Sequence, residues 1–376
     1  MGSPGHRVTD TKSILALNCG SSSLKFGLYE TGEGEPKLIC EGEAEQVGKD
    51  GSSFWFKPDP KAGKQEQKIK LSTHAEALQH ALKALKESGA AMPDAVGHRV
   101  VHGGPQLREH HKLTGETLQQ LQSAVDFAPL HVPPALNVIK AVQEQIPEVM
   151  QVICLDTAFH RTLPDVSRRF ALPSEVAKLG VERYGFHGLS LESILAQLDP
   201  VPERTVVGHL GSGVSITAIQ NGKSIDTTMG LTPTGGVMMG TRCGDLDPGV
   251  LFFLMRNGYG DAQKLETLCD HRSGLLGVSG LSNDTRELEQ ARPKDANADL
   301  AIRIFAYQVR KAIAAMTAVL GGLDLLVFTG GIGEHAKEIR GEITVGLTFL
   351  GKFEIKVLPA QEDLQIAKIT ASLIPA

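Results

Sequence analysis

The sequence lacks several features that define whole classes of protein. Positive charge is not in excess, because 38 Lys and Arg stand against 43 Asp and Glu and the formal net charge is -5. A nucleic-acid-binding domain normally has a basic face, and none is indicated here. No apolar run approaches the roughly 20 residues that a membrane-spanning helix needs. We therefore expect a globular protein that binds neither nucleic acid nor a membrane.

Cysteine and targeting signals are also scarce. The start, MGSPGHRVTDTK, has no apolar core, so it is not a secretory signal and we expect a disordered leader. The five cysteines are odd in number, scattered, and include no CxxC pair. This pattern argues against a disulfide framework or a zinc site and favours a reducing cytoplasm. The cysteines are Cys19, Cys40, Cys154, Cys243 and Cys269.

Three glycine-rich turns each follow an apolar strand-like run. They occur in LNCGSSSLKF, HLGSGVS and LDLLVFTGGIGEH. Such turns expose backbone N–H groups that bind phosphate oxygens, and Lys25 adds a point charge to the first. One such turn alone is typical of an ordinary hairpin, but three favour a polyphosphate ligand. Their spread over both halves of the chain predicts two α/β domains, which composition alone leaves related or unrelated.

Charged and polar residues mark candidate chemistry. Arg99 (GHRVVHGG) and Arg242 (GTRCGDLDP) are predicted to lie in glycine-rich loops, where a guanidinium can fork a phosphate or carboxylate or can tie down the loop. Asp156 ends a predicted buried strand and could ligate magnesium, orient a nucleophile or cap a turn. His187 and His131 are flanked by apolar residues, which favours a polar group facing a pocket. We expect the other loop histidines, including His98, His102 and His209, to serve in packing or hydrogen bonding.

One long helix is predicted from the segment NADLAIRIFAYQVRKAIAAMTAVLGG, which ends in a glycine pair. Its expected apolar stripe consists of Leu300, Ile304, Ile313, Met316 and Leu320.

Taken in order, the motifs resemble those of the acetate kinase family, a branch of the acetate and sugar kinase, heat-shock ATPase and actin superfamily. The resemblance runs from about Ile14 to the C-terminus. It is carried by LNCGSSSLKF, GHRVVHGG, APLH, LDTAFH, RYGFHG, HLGSG, TTMGLTPTGGVMMGTRCGDLDP, SGLLGVSGLSNDTREL and FTGGIGE. It implies an α/β fold of two ribonuclease H-like (actin-like ATPase) domains around a central cleft. The first would comprise 1–156 with 358–376 returning to it, and the second, nucleotide-binding and dimerising, would comprise 157–357.

The resemblance also implies a role for each matching residue. The catalytic set would be Asp156, His187, Arg242, Arg99 and His131. Arg99 would bind the substrate carboxylate, and the acyl pocket would be lined by Val101, Leu130, Phe186 and Pro233. Magnesium would be held by Asn18 and Glu362. The nucleotide would be bound by Ser21, Ser23, Lys25, His209, Leu210, Gly211, Ser212, Gly213, Asp284, Thr285, Arg286, Gly331, Ile332, Gly333, Glu334 and His335.

The function implied is that of an acetate kinase, which transfers a phosphoryl group reversibly from ATP to acetate and gives acetyl phosphate and ADP. The cofactor would be Mg²⁺, with Mn²⁺ as a substitute, in a cytoplasmic homodimer. Two enzyme alternatives stay open, a propionate or short-chain acyl kinase and a pyrophosphate-using acetate kinase. A non-catalytic nucleotide-binding relative is the alternative of another class.

The sequence departs from the family pattern in four places. Ser212 and His335 stand where relatives usually have Asn, and Leu189-Ser190-Leu191 replaces Thr-Ser-His. The stretch before KVLPAQEDL is shorter than the family pattern predicts. Ser212, His335 and this short stretch motivate the last alternative. Against these, the charged residues expected of an active site are all present, and a decayed site should lose them first.

Overall fold

The structure is a computed structural model that describes residues 11–32 and 34–375. The first ten residues of the predicted leader lie outside this range. The described residues form two compact units. The first consists of the chain up to Ala158 together with the segment from Gln361, and the second is Phe159–Ala360.

The strands are numbered in chain order, and β1–β8 belong to the first unit whereas β9–β13 belong to the second. They are β1 (Ser13–Cys19), β2 (Ser23–Glu30), β3 (Lys37–Glu45), β4 (Ser53–Lys57), β5 (Gln65–Lys68), β6 (Ala95–Val100), β7 (His111–Lys112), β8 (Met150–Leu155), β9 (Arg204–Leu210), β10 (Val214–Gln220), β11 (Lys223–Thr227), β12 (Leu325–Thr329) and β13 (Glu354–Val357).

The helices of the first unit are α1–α3 and α14, and those of the second are α4–α13. They are α1 (His74–Glu87), α2 (Gly115–Ser123), α3 (Val132–Gln145), α4 (Asp165–Arg168), α5 (Ser174–Ala177), α6 (Gly188–Leu195), α7 (Pro248–Arg256), α8 (Ala262–His271), α9 (Gly274–Ser279), α10 (Thr285–Ala291), α11 (Ala296–Leu320), α12 (Gly330–His335), α13 (Lys337–Thr344) and α14 (Glu362–Leu373). Short 3₁₀ helices span Val125–Phe127, Ala158–Thr162 and Val345–Leu350.

Both units are built on the same strand pattern. In the first unit the sheet order is β5-β4-β3-β2-β1-β6-β8-β7, and in the second it is β11-β10-β9-β12-β13. Each sheet starts with antiparallel hairpins, β1–β2–β3 or β9–β10–β11, and continues through parallel strands, β6 and β8 or β12 and β13. The carboxyl ends of parallel strands meet at one edge of a sheet, where open α/β sheets place ligands.

Local sequence explains why these elements form. Thr73 caps α1 by accepting the Glu76 N–H, and the helix stops before Gly89, whose φ is +76°. Asn221 and Gly222 both have positive φ, as a two-residue hairpin turn requires, and they join β10 to β11. The sequence itself therefore carries the signals for these elements, namely a capping threonine, a glycine after the helix and an Asn-Gly pair in the hairpin.

The cores of the two units are apolar and separate from their polar strand ends. One face of the first sheet packs on α1 and α3, and Leu15, Phe26 and Leu78 are fully or almost fully buried there. In the second unit Leu191, Val207 and Val327 belong to a cluster of the same kind. Among the described residues no helix combines the length and the apolar character that crossing a membrane requires.

Three expectations about local placement are wrong. Arg99 and His98 lie in strand β6 and His209 lies in β9, not in loops. The strands continue into the glycine turns because their backbones pair with neighbours up to these residues. In α11 the predicted stripe is misplaced at its start, because Leu300 is 44% exposed while Ile302 and Phe305 are buried.

Candidate active site

Arg99 and Asp156 form a buried ion pair in the first unit. The parallel register of β6 and β8 pairs Arg99 with Cys154, which places Asp156 just beyond the end of the neighbouring strand. Arg99 Nε donates to Asp156 Oδ2 at 3.0 Å and Nη2 donates to the same oxygen at 2.7 Å. The side chain of Asp156 is 2% exposed and that of Arg99 is 21% exposed. Burial raises the pKa of the Asp156 carboxyl and Arg99 opposes that rise. The forked donation is the geometry of an ionised pair.

The same guanidinium organises an acidic cluster. Arg99 Nη1 donates to Asn18 Oδ1 at 2.9 Å. The Nδ2 group of Asn18 faces Glu362 Oε2 at 3.3 Å and Asp363 Oδ1 at 3.4 Å. Both acids belong to the first turn of α14, which brings the C-terminal segment against β1.

The chemistry of this donor set fits magnesium. Mg²⁺ is bound in proteins by one or two carboxylates, and phosphates and waters complete its shell. Glu362 and Asp363 supply the carboxylates. Asn18 presents its oxygen to Arg99 and its NH₂ to the carboxylates, so in this arrangement it suits a metal-bound water rather than the metal itself.

The first glycine-rich turn lies beside this cluster. The Gly20 N–H donates to the Ser23 carbonyl at 2.9 Å and closes the turn between β1 and β2. A Cβ at Gly20 would lie 2.7 Å from Ser23 Oγ, so the turn accepts only glycine without a shift. Lys25 on β2 pairs with Asp363, with 2.7 Å between Nζ and Oδ2. Its ammonium thus contacts the acidic cluster, although the Lys25 side chain is 44% exposed.

In the second unit, His187 and Arg242 converge on Gly213. A Cβ built on Gly213 would lie 3.1 Å from His187 Nε2 and 3.2 Å from Arg242 Nη1. Arg242 Nη1 also donates to the Pro233 carbonyl at 3.3 Å, which holds the guanidinium in place. The glycine therefore leaves room where an imidazole nitrogen, a guanidinium and a turn backbone meet. This is a donor arrangement for a phosphate oxygen.

His187 is held in a strained and well-anchored conformation. Its φ is +61° and its ψ is 24°, a left-handed conformation that costs roughly 1–2 kcal/mol for a non-glycine residue. Nδ1 shares a hydrogen bond with Ser215 Oγ at 3.0 Å, and the ring stacks on His209 at 4.0 Å between centroids. His209 Nδ1 in turn is 2.8 Å from Ser190 Oγ. Strain of this kind persists where the surroundings over-determine it, as they do here.

A cavity of about 580 Å³ opens on the second unit. Its walls come from the HLGSG turn, the start of α10 and helix α12. Eight residues predicted to bind nucleotide line it, namely Gly211, Ser212, Asp284, Thr285, Arg286, Gly331, Ile332 and His335. The structure thus brings together three segments that are far apart in sequence, and they include Ser212 and His335, two of the positions where this chain departs from the family pattern.

The other predicted residues are distributed between the units. Ser21, Ser23 and Lys25 belong to the first unit, whereas Leu210, Gly333 and Glu334 belong to the second but do not line the cavity. Of the acyl-pocket candidates, Val101 and Leu130 lie in the first unit, and Phe186 and Pro233 in the second. Leu130 is 37% exposed and Phe186 is buried. His131 precedes α3 at its N-cap position.

Sequence reasoning missed several residues of these clusters. Asp363 contacts both Asn18 and Lys25, and its position directly after Glu362 in the first turn of a helix was an available signal. Asn283, Glu289 and Ala336 line the cavity beside predicted residues. Ser190 supports His209. The replaced neighbours Leu189 and Leu191 are fully buried, and Leu191 belongs to the core cluster of the second unit.

Comparison with known proteins adds a decisive observation. Residues 13–367 match the model of the acetokinase family. The chain belongs to the acetokinase family. It is 39% identical to an acetate kinase of Dictyoglomus thermophilum, over 96% of this chain and 99% of that protein. It is likewise 39% identical to an acetate kinase of Thermoanaerobacter pseudethanolicus, over 96% and 98% of the two chains.

Solved structures of acetokinases have the same fold. A propionate kinase from Francisella tularensis superposes with a TM-score of 0.91 at 35% identity, over 96% of this chain and all of that one. Porphyromonas gingivalis acetate kinase superposes with a TM-score of 0.87 at 36% identity, over 97% and 100%. The family and the fold class that the motifs predicted are therefore confirmed.

Proposed function

We propose that this acetokinase transfers a phosphoryl group reversibly between ATP and acetate, giving ADP and acetyl phosphate. Relatives named acetate kinase match nearly the whole chain, as does the family model. The observation that carries the proposal is the convergence of His187 Nε2 and Arg242 Nη1 on Gly213, next to a cavity large enough for a nucleotide.

The transferring phosphoryl group carries charge on three equatorial oxygens, and little covalent chemistry is left to the protein. We assign His187, Arg242 and the N–H groups of the Gly211–Gly213 turn to those oxygens. Donors fixed before the reaction lower the barrier because they need no reorganisation, and removing one typically costs about 100- to 1000-fold in rate. The stacking on His209 and the bond to Ser215 hold His187 for this role.

Arg99 is assigned to the carboxylate of the acyl substrate. Three of its five N–H groups are engaged by Asp156 and Asn18, so two remain to bind a substrate oxygen. Asp156 fixes the plane of the guanidinium and balances its charge in a buried place.

The chemical step needs no strong base. Acetate is already ionised at neutral pH, since carboxylic acids have pKa values near 4. One acetate oxygen forms a bond to the γ-phosphorus while the bond from that phosphorus to the bridging oxygen of ADP breaks, and ADP leaves with the bond's electron pair. We therefore assign Asp156 to orientation of Arg99 rather than to proton removal.

Magnesium would neutralise charge on the nucleotide phosphates when bound. Glu362 and Asp363 would hold it, with Asn18 contacting one of its waters. Lys25 sits against Asp363 and is placed to share the same negative charge.

An acetyl-hydroxamate assay tests the proposal. With ATP, Mg²⁺ and acetate the enzyme should form acetyl phosphate, which hydroxylamine traps, and Arg242→Ala should lose at least about 100-fold of that rate. Pyrophosphate in place of ATP should give no product. If no donor and acceptor pair gives product, the chain is a non-catalytic nucleotide-binding relative.

Propionate is the second candidate acceptor. The propionate kinase of Francisella tularensis superposes with the higher TM-score of the two structures compared above. One methylene in an apolar pocket changes binding by only about 1–3 kcal/mol, so we expect both acids to react. The ratio of kcat/KM for acetate and propionate decides between them, and a ratio above one supports acetate.

We also propose that the protein is a homodimer, on the evidence of helix α7. None of its residues is buried, although it is almost entirely apolar. Phe252 is 56% exposed and Phe253 is 58% exposed, and Leu246, Val250 and Met255 beside them are each at least 40% exposed. Patches of this kind mark protein interfaces.

Size-exclusion chromatography with light scattering tests the dimer. Burying the exposed half of each phenylalanine is worth about 1 kcal/mol, so Phe252→Ser with Phe253→Ser removes about 4 kcal/mol over two subunits, or about a thousandfold in dissociation constant. Phe349→Ser is the matched control, because Phe349 is 72% exposed but lies outside α7. A monomeric parent protein would refute the assignment.

A cytoplasmic location is part of the proposal. All five cysteines are free thiols in the structure, as a reducing compartment maintains them. Cell fractionation tests this, and recovery of the protein outside the cytoplasm would contradict it.

A further inference from the structure

The chain leaves the second unit at Pro359 and Ala360, and two side chains clamp this exit. Gln197 Nε2 donates to the Pro359 carbonyl at 3.0 Å, and the same group is 2.9 Å from the Ser193 carbonyl on α6. The N–H of Ala360 donates to Glu334 Oε1 at 3.1 Å. The backbone is therefore fixed immediately before the chain enters α14.

Glu334 Oε1 makes a second bond. It also accepts the N–H of Gly330 at 3.1 Å, where β12 turns into α12. Gly330 has a φ of +78°, and a Cβ there would lie 2.8 Å from the Leu210 carbonyl and 3.2 Å from His209 Nε2. This elbow thus packs directly on the strand that leads into the HLGSG turn, and α12 itself lines the nucleotide cavity.

The segment after the clamp carries the carboxylates assigned to magnesium. Gln361 follows Ala360, and α14 then begins with Glu362 and Asp363. A single carboxylate oxygen of Glu334 is therefore bonded both to Gly330, the residue before the cavity-lining Gly331, and to the backbone two residues before Glu362.

We propose that Glu334 is a positioning residue that couples the nucleotide cavity to the placement of the magnesium-binding carboxylate Glu362. The inference rests on the proposed function of the site. A role limited to shaping α12 would need only the bond to Gly330, and the bond to Ala360 has no part in that helix.

Substitutions of Glu334 separate this role from a general loss of structure. Glu334→Ala removes both bonds, and Glu334→Asp keeps the charge but is too short to make both. Glu334→Gln keeps an amide oxygen that accepts two N–H groups. Gln197→Ala releases the exit segment without touching the Gly330 elbow. Glu338→Ala is the matched control, because Glu338 is an exposed glutamate on α13 close by.

The readout is calorimetric binding of ADP with EDTA and with Mg²⁺, together with kcat and the KM for ATP. Hydrogen bonds to charged groups correspond to about ten- to hundredfold in an equilibrium constant. Glu334→Ala and Glu334→Asp should weaken ADP binding in EDTA by about tenfold and should also reduce the factor by which Mg²⁺ tightens it. Gln197→Ala should reduce only the Mg²⁺ factor. Glu338→Ala should resemble the parent enzyme. Glu334→Gln should recover most of the ADP affinity and of the Mg²⁺ factor that Glu334→Ala loses, because its amide oxygen still accepts both N–H groups.

Three results would overturn the inference. The first is parent-like ADP and Mg²⁺ dependence in Glu334→Ala and Glu334→Asp. The second is a failure of Glu334→Gln to restore them, which would assign the effect to charge. The third is an equal loss in Glu338→Ala. These outcomes are read against an active parent enzyme, whereas an inactive parent enzyme would instead refute the proposed function.

Discussion

The ion pair between Arg99 and Asp156 gives the most quantitative prediction. In Asp156→Asn the new amide keeps one oxygen that can accept from Arg99, but the Arg99 guanidinium loses its negatively charged partner. Breaking a buried pair costs about 3–5 kcal/mol because the remaining charge stays desolvated. Arg99 is 21% exposed and still faces the charges of Glu362 and Asp363, so we expect the lower end, about 3 kcal/mol.

That loss leaves the protein folded, since globular proteins are stable by about 5–15 kcal/mol. Its activity should nevertheless drop by about 100- to 1000-fold, because Arg99 is no longer held in the plane that binds the acyl oxygen. The substitution therefore lowers both the free energy of unfolding and the rate. Because the protein stays folded, the loss of rate does not result from the loss of stability.

Urea unfolding followed by tryptophan emission measures the stability term. Trp55 is the only tryptophan in the sequence, is 7% exposed and lies in the same unit as the pair, so its emission reports unfolding of that unit. Glu87→Gln is the matched control. Glu87 pairs with Lys83 at 3.7 Å on the surface of α1, and its loss should cost less than about 0.5 kcal/mol.

A double-mutant cycle decides whether the two side chains act as a pair. Arg99→Gln combined with Asp156→Asn should be less destabilising than the sum of the single changes, because the second change removes the unpaired charge that the first one leaves. If the double variant shows the full sum, or if Asp156→Asn retains parent stability and parent turnover, the role assigned to this pair is refuted.

Three further predictions concern the second unit and the acid stability of both units. Arg242→Ala should lower kcat by about 100- to 1000-fold while the calorimetric dissociation constant for ADP changes little, and equal modest effects on both would contradict its assignment to the transferring phosphoryl group. Gly213→Ala should lower kcat with unchanged thermal stability, because the new methyl group would lie only 3.1 Å from His187 Nε2 and 3.2 Å from Arg242 Nη1 and would displace both donors. A parent-like rate would show that these donors do not act there. Burial lowers the pKa of His98 and of His160 from 6.5 to about 4, so the unfolded chain takes up protons below about pH 6.5 while the folded chain does not until about pH 4. The contribution of each histidine to stability should therefore be constant above about pH 6.5 and decrease on acidification through that window, by up to about 3 kcal/mol at pH 4. Urea midpoints of the parent and of His98→Asn at pH 7 and pH 5 check this, and an equal decrease in both proteins would contradict the role of His98.

Local sequence signals predict the elements of this fold because those signals act over a few residues. The capping threonine of α1, the Asn221-Gly222 turn and the three glycine-rich turns mark positions where the backbone has few alternatives. The repeat of strand, turn and strand in both halves corresponds to two sheets that share a five-strand pattern, β3-β2-β1-β6-β8 in the first and β11-β10-β9-β12-β13 in the second. Family motifs then supply the identity of the candidate residues.

Contacts between distant segments could not be predicted in the same way. The pairing of Arg99 with Asp156 depends on the register of β6 against β8, which no local pattern in either strand reveals. Gly213, His187 and Arg242 come from three separate segments, and only the fold places the two side chains against the glycine. Whether an apolar position is buried also depends on its neighbours. Leu300 was expected in the core because of its spacing, but it is exposed on α11.

The central claim is that this chain moves a phosphoryl group between ATP and acetate. Phosphorus NMR of a mixture of the purified enzyme, ATP, Mg²⁺ and acetate tests it most directly, because ATP, ADP, acetyl phosphate and inorganic phosphate are observed together. We expect ADP and acetyl phosphate in equal amounts, and ATP when ADP and acetyl phosphate are supplied instead. Formation of ADP and inorganic phosphate at a rate independent of acetate, or no reaction in either direction, would contradict it.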